Sequence, residues 1–248
     1  MSGGLLLHLS GPWQSWGGEA DFTVRTTHRF PTRSGLTGMI AAALGRPRDS
    51  DNTDLTQLRY TIRVDRPGQR EADFHTVGGG YPPHLTPATA DGKRRPEGKG
   101  TIISERWYLA DAAFTLAVTG PTATLTLAAE GLARPVYAPY LGRRSCPPDT
   151  PILIRAHVPD PVGELDRMPL HRPTAPNKAP QPVTFIYDQA PEPGAHPDAE
   201  IRDEAGPNGT CAPRPLWQRT RLLPHAPDTP GGTAWIDALT AYRKEAST

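Results

Sequence analysis

"FPTRSGLTGMIAAALG", Phe30 to Gly45, is the stretch on which the fold turns. Leu36, Met39, Ile40, Ala43 and Leu44 recur at i, i+3, i+4, i+7 and i+8, one face of a helix. Thr32 or Ser34 can cap its start, and Gly45 followed by Pro47 stops its end. Arg29 and Arg33 stand at the entrance, and no acidic residue occurs between Phe22 and Arg48. Free N–H groups and the positive end of the macrodipole favour an anion at such a place. Two readings follow: a phosphate-friendly entrance with Gly35 allowing close approach, or a capped core helix with solvated arginines. A nucleotide-binding loop is excluded, because neither GxxxxGK[ST] nor GxGxxG after a strand is present.

Working outward, "GLLLHLSG" (Gly4–Gly11) is short, apolar and closed by Gly-Pro, a buried first strand. After the helix, "DNTDLTQL" predicts two further turns, and "RYTIRVDR" (Arg59–Arg66) and "ADFHTV" predict strands. From Gly78 to Gly100 the chain has no periodicity, many breakers and Lys93, Arg94, Arg95 and Lys99, the pattern of a protruding loop or hairpin. "TIISERWYLADAAFTLAVTG" (Thr101–Gly120) returns to strand alternation, and the alanines of "TATLTLAAEGLA" favour a helix. "PILIRAH", "VTFIYD" and "LWQRTRLL" predict later strands, and "TAWIDALTAYRKEA" a C-terminal helix with Thr233 as cap. Strand, helix, strand, then strand, helix, strand is the order of a ferredoxin-like α+β fold. Two helices on one face of such a sheet leave the other face free, a surface RNA-binding modules use.

The totals set bounds. A chain of 248 residues can bury a substantial core. Net charge is +1, with 17 basic against 14 acidic residues in 1–150 and 10 against 12 in 151–248, so local clustering decides the partner. Sixteen of the 30 prolines lie between Pro159 and Pro230, which predicts little helix or central strand there. Cys146 and Cys211 are far apart without metal-ligand spacing, and the apolar run at the start is too short for a membrane span. A cytoplasmic protein with no cofactor and no metal is expected.

Four clusters carry chemistry suited to single-stranded RNA. The first is the helix entrance. The second is "GPWQSWGG" (Gly11–Gly18), where Trp13 and Trp16 either stack on bases or plug the core, with Gln14 between them. The third is the basic loop followed by Arg106, Trp107 and Tyr108, suited to tracking a backbone or simply a solvated tip. The fourth is "PVYAPYLGRRSCP" (Pro135–Pro147), with Tyr137 and Tyr140 close to Arg143 and Arg144. Catalytic signals are weaker. His28, His75, Tyr140 and Lys99 could serve metal-free RNA cleavage, but no spacing forces them together, and Ser34 and Ser145 lack a nucleophile elbow.

"GPWQSWG", "RFPTRSGL", "DFHTV", "YLADAAFTLAV" and "PYLGRRSCP", in this order over residues 4–155, resemble the CasD family. These are the Cas-five subunits of the type I-E CRISPR Cascade complex, within the repeat-associated mysterious protein (RAMP) superfamily. The resemblance implies a ferredoxin-like (RRM-like) RAMP domain at 1–158 with a β-hairpin thumb inserted at about 78–103. A small proline-rich β and irregular region, 159–248, would complete the fold. It implies a non-catalytic subunit that binds the 5′ handle of crRNA and caps the CasC backbone beside CasA. CasB and CasE would share the complex, with target DNA near the thumb and no membrane. Carried onto this sequence, the RNA contacts would be Gln14, Trp16, Arg29, Thr32, Arg33, Ser34, His75, Lys99, Arg106, Trp107, Tyr140, Arg143 and Arg144, the last two facing either RNA or a protein neighbour. The alternative is a metal-independent endoribonuclease, as in subtype I-C relatives, built on His75, Tyr140 and Lys99.

Overall fold

The apolar run at the start becomes β1 (Gly4–Ser10), buried along its whole length. The computed structural model describes residues 3–21, 23–86, 88–89, 91–96, 98–173, 182–205, 211–223, 228–229 and 232–245. The tryptophan turn folds into short strands β2 (Trp13–Gln14) and β3 (Trp16–Asp21), followed by β4 (Val24–His28). The expected helix is α1 (Arg33–Ala43), and of the two candidate caps it uses Thr32, whose Oγ1 accepts from the Gly35 N–H at 3.4 Å. Then come β5 (Arg59–Arg66), β6 (Gln69–Val77), β7 (Ile102–Ala110), β8 (Ala113–Thr119) and α2 (Thr122–Ala133). The remainder is β9 (Leu153–Val158), α3 (Pro161–Glu164), β10 (Leu170–His171) and β11 (Pro182–Tyr187). It ends with β12 (Ala199–Ala205), β13 (Cys211–Leu222), β14 (Asp228–Thr229) and α4 (Thr233–Glu245). Thr233 is the first helical residue rather than the cap before it.

One seven-stranded sheet runs in the order β12-β13-β11-β5-β8-β1-β9, antiparallel at every pairing. Its kernel is β9-β1-β8-β5, with α1 between β1 and β5 and α2 between β8 and β9 in the chain. A second sheet, β2-β7-β4-β3 with β6 paired along β7, grows from the long β6–β7 hairpin inserted between β5 and β8. The chain is thus mixed α+β with mostly antiparallel pairing.

Both faces of the large sheet are covered. Leu5, Leu7 and Leu9 pack with Leu36, Ile40 and Leu125 of the two helices. Leu6, Ala117, Ile154 and Phe185 pack on the opposite side with Met168, Leu170, Trp235 and Leu239. This explains why β1 reads as a continuous apolar run rather than an alternating one. It also corrects the expectation of an open sheet face, because the proline-rich part crosses back and roofs it. A buried polar network ties that roof down. Arg63, fully buried, pairs with Asp65 at 2.7 Å and donates to the carbonyls of Leu165, Met168 and Pro169. His8 Nε2 lies 2.9 Å from His171 Nδ1, and the His171 ring stacks on Trp235. Burial lowers the pKa of both histidines, that of His8 to about 3, which favours the neutral rings.

The expectation that residues 159–230 hold little central strand is also corrected, since β11 lies between β5 and β13. Pro182 is its first residue, a position proline tolerates. Pro213 and Pro215 fall in the half of β13 that pairs only with β12, two residues apart, so their missing N–H groups fall on one edge.

Candidate nucleic-acid interface

At the α1 entrance the protein supplies its own anion. The Arg33 N–H donates to Asp203 Oδ2 at 2.7 Å, and that carboxylate is also held by Arg214 Nε at 2.5 Å and Nη2 at 2.9 Å. The Arg33 guanidinium is buried, with Nη1 3.4 Å from Glu204 Oε1 and Nη2 donating to the Thr56 carbonyl. Burial, with Arg59 nearby, lowers its pKa. Thr32 is buried as the cap, and Ser34 is half-buried in the first turn. Arg33 therefore ties α1 to β12 and Thr32 caps the helix, both as buried side chains rather than the exposed RNA contacts expected of them. Arg29 remains exposed.

Gln14 and Trp16, expected at the RNA surface, are placed in the core, both fully buried. Gln14 Nε2 donates to the carbonyls of Leu9 and Ala112, and its Oε1 accepts from Trp16 Nε1 at 2.9 Å. Trp13 is the tryptophan left at the surface, 37% exposed. Its ring meets that of Tyr108 at 4.5 Å, because β2 pairs with the base of β7.

The Tyr/Arg segment docks on this turn. The Ser15 N–H donates to the Leu141 carbonyl at 3.0 Å, and Gly142 lies so close that a Cβ there would come 1.7 Å from the Ser15 oxygen. This places Arg143 with its guanidinium 4.7 Å over the Tyr108 ring and Nη2 donating to the Arg25 carbonyl at 3.2 Å. Arg143 Nη1 is a buried donor without a protein partner.

Strand alternation extends this cluster along one face of the hairpin. Arg106, two residues from Tyr108, pairs in register with Arg25 on β4 and with Asp73 on β6. His75 is opposite Ser104 further out, with Nδ1 3.3 Å from Asp73 Oδ2. Trp13, Tyr108, Arg143, Arg25, Arg106 and His75 thus share a face that begins in Arg143 stacked on the buried Tyr108 ring and continues in arginines, with the acids Glu71 and Asp73 beside them. Trp107 lies on the opposite face, with Arg70 stacked over it at 4.8 Å and its Nε1 donating to Glu105. Phe74, 71% exposed, shares that face.

Arg144 and Lys99 are exposed, and Tyr140 is half-buried with its carbonyl accepting from the Gly142 N–H. No hydrogen bond or ring contact joins His75, Lys99 and Tyr140 among the described residues. Residues 87, 90 and 97 of the expected thumb lie outside the described residues. Sequence reasoning missed Arg25 and Arg70, whose only signal was the alternation of "VRTTH" and the start of β6.

A family model described as "CRISPR-associated protein (Cas_Cas5)" matches residues 4–193. The CRISPR system Cascade subunit CasD of Escherichia coli (strain K12) is 37% identical over 167 residues, 60% of this chain and 69% of that protein. A solved structure described as a CRISPR RNA-guided surveillance complex contains a chain that superposes with a TM-score of 0.82 at 40% identity. That match covers 97% of this chain and 99% of the other. A crystal structure of a Cas protein superposes at 0.59 with 28% identity, covering 92% and 100%.

Proposed function

The chain belongs to the CRISPR-associated Cas5 family, and from that premise we propose that it is a non-catalytic subunit of a Cascade-type surveillance complex that grips the 5′ handle of crRNA. The observation that carries the reading is the Tyr108 face. Arg143, stacked on Tyr108 with one donor unspent, suits an unpaired base or a phosphate. Arg25, Arg106, Arg29 and Arg144 continue the positive track, with Trp13 as a stacking edge. Each stacked base contributes about 1–3 kcal/mol, and each neutralised phosphate adds a salt dependence of about −0.7 in log K against log salt.

The kernel order β9-β1-β8-β5, reached through two strand–helix–strand passes, supports a ferredoxin-like RAMP domain at 1–158. In this reading the β6–β7 hairpin is its thumb, projecting toward a CasC backbone subunit and the target DNA, with His75 and Lys99 along it. Residues 159–248 complete the same sheet. CasA flanks the subunit, CasB and CasE complete the complex, and the assembly works in the cytoplasm.

Reconstitution with crRNA and the other subunits tests this. The 5′ handle is expected to become nuclease-protected, and the isolated chain to leave repeat RNA intact in EDTA. An unprotected handle contradicts the binding role, and specific cleavage contradicts the non-catalytic one.

A further inference from the structure

Three short connections carry the chain between the two sheets: Gly11 and Pro12 from β1 to β2, Pro67 and Gly68 from β5 to β6, and Asp111 and Ala112 from β7 to β8. Such connections act as a hinge when nothing holds them, because a few φ/ψ changes swing one layer against the other. Here they are bound to one another. The Asp111 N–H donates to the Pro12 carbonyl at 3.0 Å, and its carboxylate pairs with Arg66 at 3.1 Å. Asp111 holds the left-handed region to do so, at φ 53°. Gln14 is the centre of the joint. Its backbone lies in β2, opposite Leu109 of β7, while its buried Nε2 donates to the Leu9 carbonyl on β1 at 3.3 Å and to the Ala112 carbonyl before β8 at 2.8 Å. Its Oε1 accepts from Trp16 of β3 at 2.9 Å, so one side chain ties the large sheet to the second. The Tyr/Arg segment straddles the same joint, since the Asp149 N–H donates to the Ser10 carbonyl at 3.0 Å and the Ser15 N–H to the Leu141 carbonyl.

We propose that Gln14 and Asp111 are positioning residues that lock this neck, so that the second sheet presents the Tyr108 face to RNA in one orientation. The inference rests on the RNA-binding reading above. Arg143 reaches the Tyr108 ring from a segment anchored on the large sheet through Asp149, whereas Tyr108 and Arg106 belong to the second sheet. A swing at the neck therefore parts the stacked pair and breaks the continuity of the face. A ligand that needs one orientation binds more weakly in proportion to the fraction of molecules that hold it. Neither residue touches the ligand in this account. Gln14 acts through the Leu9 and Ala112 carbonyls, and Asp111 through Arg66 and Pro12.

Electron–electron distance measurements between unnatural-amino-acid spin labels at Thr76 on β6 and Glu130 on α2, both exposed, read the disposition of the two sheets. The parent chain is expected to give one narrow distribution. Gln14→Glu, which removes both donors, and Asp111→Ala, which removes the clasp from an exposed side chain, are expected to broaden it. Asp111→Asn makes the same charge change but tolerates the left-handed backbone and keeps an oxygen for Arg66, and is expected to restore the parental width. In the assembled complex Asp111→Ala is expected to weaken handle binding about fivefold, and Asp111→Asn to bind as the parent does. The Asp111 pair decides the matter if Gln14→Glu does not fold. A parental distribution in Asp111→Ala overturns the lock. A broadened distribution with parental affinity, or equal losses in Asp111→Ala and Asp111→Asn, overturns the positioning role and leaves the function standing. A parental complex that does not bind the handle contradicts the function itself and the role toward RNA with it.

Discussion

Gly142 has φ +85°, and its missing side chain is what allows the Tyr/Arg segment to lie on the Ser15 carbonyl. Any Cβ combines a left-handed backbone penalty with a backbone clash, neither of which a side-chain rotation relieves. Gly142→Ala is expected to lower stability by about 3 kcal/mol, read as a fall in Tm; an unchanged Tm contradicts the docking described. Arg29 and Arg33 are two cations four residues apart with opposite fates. Arg33→Glu places a carboxylate against Asp203 and Glu204 and is expected to cost about 3–5 kcal/mol of stability. Arg29→Glu, at an exposed site, should leave Tm nearly unchanged and weaken handle binding. Reversed outcomes would return Arg33 to the RNA surface. The charge at this entrance was legible in the sequence, but its partner was not, because Asp203 lies 170 residues away.

At the scale of elements, α1 was legible because its apolar periodicity and stop are local, α2 only through its alanines, and β1 because its run is continuous. β11 was legible as a strand in "VTFIYD", but its central place in the sheet was not, since proline density says nothing about which edge of a strand each proline occupies. Its junction with β5 contains Asp188, whose N–H donates to the Tyr60 carbonyl beside a small cavity lined by Arg33, Tyr60 and Arg214. Burial raises the Asp188 pKa to about 6, outweighing the Tyr60 backbone N–H and the arginines that favour its carboxylate. A carboxylate with a raised folded pKa contributes stability that is fully present below its unfolded pKa and lost as pH rises to about 6. The ionised form then costs on the order of 3 kcal/mol. Asp188→Asn is therefore expected to be more stable than the parent in denaturant titrations near neutral pH, with the gain vanishing at about pH 4. A gain equal at both pH values contradicts the buried, strained carboxylate.

For the whole molecule, the decisive departure from the sequence reading is the roof of α3, β10 and α4. An open sheet face was expected from two helices on one side. The chain instead brings His171 and Trp235 onto His8, contacts between residues far apart in sequence that no local pattern encodes. With both faces filled, the surface proposed for RNA is the second sheet, which assembles "GPWQSWG", "ERWYL" and "PYLGRRSCP" around Tyr108. Those motifs were legible one by one, but their convergence required the β2–β7 pairing. Gln14 and Trp16 were misplaced because a tryptophan turn reads the same whether its rings point in or out. The most direct test of this account is the salt dependence of handle-RNA affinity for the assembled complex carrying Arg143→Ala. Affinity is predicted to fall about tenfold, with the slope of log K against log salt reduced by about 0.7. Parental affinity and slope in a correctly folded variant would contradict the interface.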